Sequence, residues 1–328
     1  MMNREEAESR IADILRQGSR FLMTTHIDPD ADGIGSMLGL GASLSRAGKE
    51  AIMVTQEPLP APLSLLPGAD QVVQSFDAGA HFDALFVLDC GELQRMGPLS
   101  TLEDRPETLV CIDHHKTNDF FADINLVDPK SSSTGELIYQ VIKRAQLPLG
   151  TMAAKNLFAA IQTDTGSFRY ENATARTFRI GAELVESGAS PWEISRIVLE
   201  GYSVARLKLL QATLGTLELH QNGRIGLMTI TSRMFRETGA RRIDSERFVD
   251  YPRFVSGVEI SVLMREIEEN GYKFSLRSNN YVDVADLAAR FGGGGHARAA
   301  GFERKGSIDA VKTDFLREAA GFLDGASI

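Results

Sequence analysis

The chain has 328 residues, of which 43% are hydrophobic and 24% are charged, so collagen-like and intrinsically disordered proteins are excluded. Its 35 basic and 44 acidic residues give a net charge of −9, which argues against a basic surface that grips duplex nucleic acid. Cys90 and Cys111 are the only cysteines, which excludes a disulfide framework and an all-thiolate zinc site. No apolar run reaches the roughly 20 residues of a membrane helix, and no secretory signal is apparent, so we expect a cytoplasmic protein.

Strands and helices alternate in the first part of the chain. The predicted strands are 21–25, 51–54, 84–88 and 109–112, and an amphipathic helix over 34–44 separates the first two. The last two strands are nearly continuous apolar runs, which is typical of strands that are buried on both faces. We therefore predict an α/β fold whose N-terminal sheet is mostly parallel and flanked by helices.

The second part of the chain has a different pattern. Residues 133–187 are helical in character, and Pro191 begins a further helical stretch that we interpret as a connector over 191–221. Beyond it the predicted strands are 225–230, 258–264 and 272–276, and the predicted helices are 284–291 and 308–322. The sequence thus predicts an N-terminal domain over 1–190, the connector, and a smaller C-terminal α/β domain over 222–328.

Side chains that can bind metal ions follow three of the predicted strands directly. His26–Asp32 follows the first strand, Asp89 follows strand 84–88, and Asp113–His115 follows strand 109–112. A further acid, Asp164, lies at the end of an apolar helical segment. Because the carboxyl ends of parallel strands meet at one edge of a sheet, we expect these side chains to converge there.

Carboxylates with a few imidazoles suit Mn²⁺ or Mg²⁺ better than a thiolate site does. Four of the acids, Asp30, Asp32, Asp89 and Asp164, carry four negative charges that two divalent cations would neutralise. One carboxylate can bridge two metal ions about 4 Å apart, an arrangement that is used in metal-assisted phosphoryl hydrolysis. Taken singly, each cluster has a structural explanation, such as a helix N-cap or a satisfied core histidine. Four such clusters together favour a metal site.

Two motifs resemble a known family. Asp113-His114-His115, together with His26-x-x-Pro29-Asp30-x-Asp32, resembles the DHH phosphoesterase superfamily. The run Gly292–Gly295 followed by His296 resembles the GGGGH signature of its DHHA1 domain. Their order and separation resemble the nano-RNase branch, with its oligoribonucleases, 3′-phosphoadenosine 5′-phosphate (pAp) phosphatases and cyclic-dinucleotide phosphodiesterases. The resemblance covers nearly the whole chain and implies a DHH catalytic domain over 1–190 and a DHHA1 substrate-binding domain over 222–328.

The resemblance also implies two divalent metal ions, with Mn²⁺ preferred and Mg²⁺ or Co²⁺ as alternatives. The implied ligands are His26, Asp30 and Asp89 for one ion and Asp32, Asp89, His114 and Asp164 for the other. In this assignment the catalytic residues are Asp89, which bridges the ions, and His115, which faces the scissile phosphate as a hydrogen-bond donor or general acid. Asp28 departs from the family pattern, which often has Asn there, and adds a negative charge nearby.

Substrate-binding residues are expected mainly in the C-terminal domain. The implied set is Arg95 in the N-terminal domain and Arg277, Gly293, Gly294, Gly295, His296 and Arg298 in the C-terminal one. A glycine run lets the backbone approach an anion closely, although on its own it is more often a flexible turn. Because His296 and Arg298 follow the run and the motif resembles the family's, we predict a ligand-binding loop here. Ser131–Thr134 precedes a helix and could offer hydroxyls to an anion, but helix capping is the favoured role.

The predicted activity is hydrolysis of phosphoester bonds in short oligoribonucleotides, dinucleotides or pAp by a water that two metal ions activate. Three alternatives stay open: a pyrophosphatase or polyphosphatase, a RecJ-like single-strand exonuclease, and a catalytically silent nucleotide-binding module. The silent module would be expected to lack a ligand, whereas all six candidates are present. We expect no membrane partner and no stable binding of duplex DNA, and a homodimer is a further expectation.

Overall fold

The computed structural model describes residues 2–77, 79–101, 106, 108–200 and 202–325. The chain forms two compact units, which divide between residues 201 and 202. The segment predicted as a helical connector contains two helices, of which Pro191–Val198 belongs to the first unit and Val204–Leu214 to the second. Each unit is built around its own hydrophobic clusters. No helix of the described residues is both long enough and apolar enough to span a bilayer.

The first unit alternates strands with helices before it becomes helical. Its strands are β1 (Arg20–Thr25), β2 (Glu50–Val54), β3 (Val72–Val73), β4 (Ala84–Leu88), β5 (Leu109–Asp113) and β6 (Ile124–Val127). Its helices are α1 (Arg4–Gln17), α2 (Ala31–Arg46), α3 (Thr134–Arg144), α4 (Thr151–Asp164), α5 (Ala175–Glu186) and α6 (Pro191–Val198). Short 3₁₀ segments cover Leu63–Leu65, Ala69–Gln71 and Leu93–Thr101.

All paired strands of the first sheet are parallel, in the order β3-β2-β1-β4-β5-β6. Strands β4 and β5 are buried along their whole length, as their continuous apolar runs require. The chain order reverses between β1 and β4, and in such sheets ligands bind at the carboxyl ends of the strands beside this point. The register pairs Thr25 of β1 with Leu88 of β4, and Leu88 with Ile112 of β5. The residues that follow these three strands therefore lie at the same height along the edge of the sheet.

The second unit contains a mixed sheet. Its strands are β7 (Glu218–His220), β8 (Ile225–Ile230), β9 (Ile260–Glu268), β10 (Gly271–Ser278), β11 (Gly294–His296) and β12 (Ala299–Lys305). Its helices are α7 (Val204–Leu214), α8 (Ser232–Thr238), α9 (Val284–Ala289) and α10 (Ile308–Gly325), and 3₁₀ segments cover Arg242–Ser245, Phe248–Asp250 and Pro252–Phe254. The strand order is β11-β12-β10-β9-β8-β7, in which β8 and β9 pair in parallel and the other pairs are antiparallel. The α/β fold with a parallel sheet in the N-terminal unit is confirmed.

Several strands were not predicted. The strand β3 has two residues, and β6 and β7 have four and three, so their sequences are too short to show a period. The glycine run was predicted as a loop, and this is wrong for its second half, because Gly294–His296 forms β11 and pairs with β12. Backbone pairing to a neighbouring strand, which the sequence does not reveal, holds these glycines extended.

Candidate functional site

The predicted metal ligands of the first unit gather at the carboxyl edge of its sheet. His26 follows β1, Asp89 follows β4 and His114 follows β5, and these strands are neighbours. Asp32 lies in the first turn of α2, and Asp164 is the last residue of α4. Parallel strands therefore bring together residues that are up to 138 positions apart in the sequence.

One group contains His26, Asp30 and Asp89, whose candidate ligand atoms all lie within 4.8 Å of one another. The Nε2 atom of His26 is 3.7 Å from Oδ2 of Asp89 and 4.0 Å from Oδ1 of Asp30. The Nδ1 atom of His26 lies 2.7 Å from the carbonyl oxygen of Ile27, so a hydrogen on Nδ1 has its acceptor there. That tautomer leaves the lone pair of Nε2 available for a metal ion.

A second group is centred on His114. Its Nε2 atom lies 3.6 Å from Oδ2 of Asp32, 3.5 Å from Oδ2 of Asp164 and 3.7 Å from Oδ1 of Asp89. Asp89 therefore presents one oxygen to His114 and its other oxygen to His26. Its backbone φ of 57° is uncommon for a residue other than glycine, which fits a side chain that is held in place for function. A carboxylate in this position can bridge two cations.

The N-terminus of α3 fixes two of these carboxylates. The backbone amides of Thr134 and Gly135 donate to the two oxygens of Asp32, at 2.7 Å and 2.9 Å. The hydroxyl of Thr134 donates to Oδ1 of Asp89 at 3.0 Å. Ser133 is the N-cap of the helix and accepts a hydrogen bond from the amide of Glu136. The segment thus caps its helix, and it also orients the predicted ligands.

Beneath this segment lies Glu136, a fully buried carboxylate that the sequence analysis did not single out. It accepts hydrogen bonds from the hydroxyls of Ser131, Ser132 and Thr177, at 3.1 Å, 2.6 Å and 3.0 Å. The guanidinium of Arg176 pairs with it at 2.5 Å. Glu136 therefore anchors the turn whose next residues hold Asp32 and Asp89.

The electrostatics of the cluster fit cations. Burial raises the pKa of Asp32 well above its usual value, and the negative charges of Asp89, Asp164 and Asp30 raise it further. Burial also raises the pKa of Asp89, and it raises that of Asp164 to about 7. Carboxylates crowded in this way resist ionisation without a counter-charge, and divalent cations supply one. The oxygen and imidazole donors present here therefore fit a pair of hard divalent ions.

His115 is held by a different set of contacts. Its Nδ1 atom lies 2.6 Å from Oδ1 of the buried Asp113, whose other oxygen accepts from the side-chain amide of Asn118, also at 2.6 Å. Burial alone would lower the pKa of His115, but the hydrogen bond with Asp113 and the charges of Asp89, Asp113 and Asp164 raise it to about 9. Asp113 shows the reverse, since burial raises its pKa but the contact with His115 brings it below the usual value.

Arg95 is adjacent to the first ligand group. One guanidinium nitrogen lies 3.1 Å from Nδ1 of His26, but it does not donate to that atom in the tautomer whose Nδ1 hydrogen is accepted by Ile27. The carbonyl oxygen of Arg95 accepts from the amide of Ile27 at 2.7 Å. The backbone around Arg95 and Ile27 therefore forms one rim of the cluster. A role for Arg95 in binding substrate stays a prediction.

In the second unit the register aligns several of the predicted substrate residues. Strand β12 lies between β10 and β11, and Ala299 pairs with Arg277 on one side and with His296 on the other. Gly301, two residues further along β12, pairs with Ser275 and Gly294. The side chain of His296 lies outside the described part of the chain.

Three of the predicted glycines have different surroundings. A Cβ atom on Gly293 would lie 2.2 Å from the carbonyl oxygen of Gly301, so this position must be glycine for β12 to approach. Gly295 has a φ of +145°, and a Cβ there would also meet the backbone of β12. A Cβ on Gly294 would meet nothing within 4 Å. The packing of the unit therefore does not explain the glycine at position 294.

The two predicted arginines are tied to neighbouring backbone. Arg277 donates to the carbonyl oxygen of Leu276 at 2.9 Å, and its Nε lies 3.8 Å from Oδ1 of Asp250. Arg298 donates to the hydroxyl of Ser278 at 3.4 Å and to the carbonyl oxygen of Val282 at 3.3 Å. Both arginines are thus oriented by contacts within their own unit.

Comparisons with known proteins agree with this architecture. The model of the DHH family N-terminal domain matches residues 20–161, and the model of the DHHA1 domain matches residues 227–324. The Thermus thermophilus protein named bifunctional oligoribonuclease and PAP phosphatase NrnA is 32% identical over 327 residues, which covers 95% of each chain. The Bacillus subtilis protein of the same name is 28% identical over 284 residues, 85% of this chain and 88% of that one.

A solved structure is also similar over nearly the whole chain. It is an exopolyphosphatase-related protein from Bacteroides fragilis, with a TM-score of 0.91, 27% identity and 98% of each chain covered. The matching domain models and relatives give the class as a two-domain metal-dependent phosphoesterase, and the acids and histidines at one edge of the parallel sheet agree with it. The chain belongs to the DHH family and carries a DHHA1 domain, so the predicted family and the predicted class of hydrolase are confirmed.

Proposed function

We propose that this protein hydrolyses short oligoribonucleotides and pAp. The relatives from Thermus thermophilus and Bacillus subtilis carry these two activities in their names, and the similarity extends through both domains. The observation that supports the proposal most strongly is the position of Asp89, whose oxygens lie 3.7 Å from His26 and 3.7 Å from His114. A cytoplasmic location and a homodimer stay predictions.

The ligand sets that we propose are His26, Asp30 and Asp89 for one ion and Asp32, Asp89, His114 and Asp164 for the other. Mn²⁺ is the proposed ion, because a site of mixed carboxylate and imidazole donors suits it well, and Mg²⁺ and Co²⁺ are the alternatives. Bound divalent ions supply Lewis-acid activation of water and neutralise negative charge on the phosphate oxygens. The hydrogen bonds from Thr134 and Gly135 keep the carboxylates of Asp32 and Asp89 in place for these ions.

His115 is proposed to donate a proton or a hydrogen bond to the leaving oxygen. Its contact with Asp113 fixes the ring through Nδ1 and favours the protonated form at neutral pH. The positive charge of nearby cations would lower its pKa from this value toward the operating pH, which suits a general acid. Asn118 holds the second oxygen of Asp113 and so keeps this pair aligned.

The DHHA1 unit is proposed to bind the terminal phosphate or base of the substrate through Arg277, Arg298, His296 and the Gly293–Gly295 backbone. The arginines provide fixed positive charges. At Gly294 no atom lies within 4 Å of where a Cβ would stand, so a ligand has room to reach the backbone. A glycine backbone can approach an anion closely. Arg95 is proposed as a further contact to phosphate from the catalytic unit.

The experiment that tests the proposal is a panel assay of the purified protein with Mn²⁺, Mg²⁺ or Co²⁺. The substrates are a diribonucleotide, a five-nucleotide RNA, pAp and inorganic pyrophosphate, and the products are separated by chromatography. We expect nucleoside monophosphates from the RNAs and AMP with phosphate from pAp, and little phosphate from pyrophosphate. Hydrolysis of pyrophosphate alone would contradict the proposal and favour the pyrophosphatase alternative.

A further inference from the structure

A cavity of about 560 Å³ lies at one edge of the sheet in the second unit, where β8 and β9 begin and β10 ends. None of the residues that line it was predicted from the sequence to bind substrate. Its wall includes Arg253 and Phe254 on one side and the segment Asn279–Tyr281 on the other. Two aromatic rings are therefore present at the cavity together with the guanidinium groups of Arg224 and Arg253 and two carboxamides.

The Asn279–Tyr281 wall is fixed by a buried acid. The carboxylate of Glu259 accepts hydrogen bonds from the backbone amides of Asn280, Tyr281 and Val282, at distances between 2.8 Å and 3.1 Å. The side-chain amide of Asn280 adds another hydrogen bond at 3.0 Å. Because so many donors meet one carboxylate, the backbone of this segment is held in place, and 46% of the surface of Tyr281 is exposed.

The opposite wall is joined to the first by Asn279. Its carboxamide accepts from Nε of Arg253 at 3.1 Å and donates to the carbonyl oxygens of Arg253 and Val258, at 3.2 Å and 2.7 Å. Phe254, which follows Arg253 in the chain, has 68% of its surface exposed. A large aromatic side chain that contributes so little to the core is available for a ligand, and aromatic faces stack on nucleobases of any kind.

Ion pairs and hydrogen bonds connect the walls of the cavity to residues that we propose to bind substrate. Asp250 lies 3.5 Å from Nη1 of Arg253 and 3.8 Å from Nε of Arg277, so one carboxylate links the two arginines. On the other side, Arg298 donates to the carbonyl oxygen of Val282, which belongs to the segment that Glu259 holds. The walls of the cavity are therefore linked to Arg277 and Arg298 by these contacts, and the cavity is lined by other side chains.

We propose that this cavity is an additional nucleotide subsite, in which Phe254 or Tyr281 stacks on a nucleobase of an oligoribonucleotide chain. The inference rests on the proposed function and deepens it, because it names the substrate class that the cavity favours. A substrate with a single base, such as pAp, can be held at Arg277 and Arg298 without filling the cavity. An oligoribonucleotide of several residues carries further bases that reach it.

The test compares kcat/KM for a five-nucleotide RNA with kcat/KM for pAp, in Mn²⁺, for the wild type and variants. In Phe254→Ala we expect the ratio of RNA to pAp to fall about tenfold, since stacking of one base on an aromatic ring contributes roughly this factor or more. The same ratio measured in Tyr281→Ala tests the aromatic ring of Tyr281. Phe254→Trp keeps an aromatic face and should restore the ratio. Trp192→Ala is the matched control, because Trp192 is 66% exposed and lies in the first unit.

A ratio that stays at the wild-type value in both alanine variants would overturn the inference. An equal fall in Trp192→Ala would do the same, because the effect would then not belong to this cavity. If the wild type hydrolyses neither RNA nor pAp, the proposed function itself fails, and the inference falls with it. If the wild type hydrolyses both, a failure of the ratio test concerns the subsite alone.

Discussion

His115 and Asp113 are joined by a short hydrogen bond, 2.6 Å between Nδ1 and Oδ1, and the carboxylate is fully buried. An imidazole that is oriented by a buried acid is a common device for a general acid or base. Asn118 completes the arrangement from the far side of the carboxylate. His115 is thus oriented by Asp113, whereas its neighbour His114 faces three other acids, Asp32, Asp89 and Asp164.

Asp113→Asn should lower kcat by roughly 10- to 100-fold, which is part of the 10²- to 10⁴-fold that a positioned general acid typically contributes. The variant keeps an acceptor for Nδ1 but loses the negative charge that raises the pKa of His115. Because an acid works only in its protonated form, the alkaline limb of the kcat profile should move to lower pH. The measurement is kcat against pH with saturating Mn²⁺. An alkaline limb at the wild-type position would contradict the role of His115 as the acid.

Asp89→Asn should abolish turnover and leave fewer than two divalent ions bound. The substitution removes the negative charge of the carboxylate that lies between His26 and His114. Isothermal titration with Mn²⁺ and circular dichroism check the metal count and the fold. Asp28→Asn is the matched control in the same motif. Asp28 is exposed and has a φ of 53°, which Asn also tolerates, so this variant should retain both ions. Full activity of Asp89→Asn would be incompatible with a bridging carboxylate.

Stability in the absence of metal should depend on pH through the crowded acids. Burial raises the pKa values of Asp32, Asp89 and Asp164, the last to about 7, so the folded state keeps protons that the unfolded state has released. Their contribution to stability is therefore present below about pH 4 and is lost as the pH rises toward 7. Mn²⁺ should raise Tm by more at pH 7.5 than at pH 5. Thermal melts with Mn²⁺ and with EDTA measure this difference, and a difference independent of pH would contradict it.

Glu136→Gln should weaken Mn²⁺ binding by roughly 10- to 100-fold, as expected for loss of a residue that supports the ligands. The substitution removes the negative charge of the carboxylate that pairs with Arg176 and accepts hydrogen bonds from three hydroxyls. The turn before Thr134 should therefore be held less firmly. Titration calorimetry gives the affinity, and Glu186→Gln on the exposed surface of α5 serves as the control. A lower Tm with unchanged affinity for Mn²⁺ would show that Glu136 has only a structural role.

Gly294→Ala and Gly293→Ala should separate binding from folding. A methyl group at 294 meets nothing within 4 Å, so the variant should fold normally and raise KM if substrate approaches this backbone. A methyl group at 293 would lie 2.2 Å from the carbonyl oxygen of Gly301, so that variant should lose stability first. Tm and KM for pAp are the two measurements. An unchanged KM in Gly294→Ala would remove position 294 from the substrate site.

The site in the first unit was largely predictable because its chemistry is tied to the strand pattern. His26, Asp89 and His114 come just after apolar strands, and parallel pairing places such positions at one edge. Glu136 could not be found in this way. Its partner Thr177 is 41 residues away, and an acid in the first turn of a helix is ordinarily a surface residue that favours the helix dipole.

The second unit was predicted less completely for a related reason. The strand β11 consists of Gly294, Gly295 and His296, residues that carry no β signal of their own, and its conformation comes from pairing with β12. The cavity beside Phe254 depends on Glu259 and Asn279, whose hydrogen bonds join residues that are 23 and 21 positions apart. Long-range contacts of this kind leave no periodic pattern in the sequence.

We propose that the carboxylates and imidazoles at the sheet edge hold two divalent ions, with Asp89 between them. The most direct measurement is anomalous diffraction at the manganese edge from crystals grown with Mn²⁺. We predict two peaks, one in contact with His26, Asp30 and Asp89 and the other with Asp32, Asp89, His114 and Asp164. A single peak, or manganese bound away from Asp89, would contradict the claim.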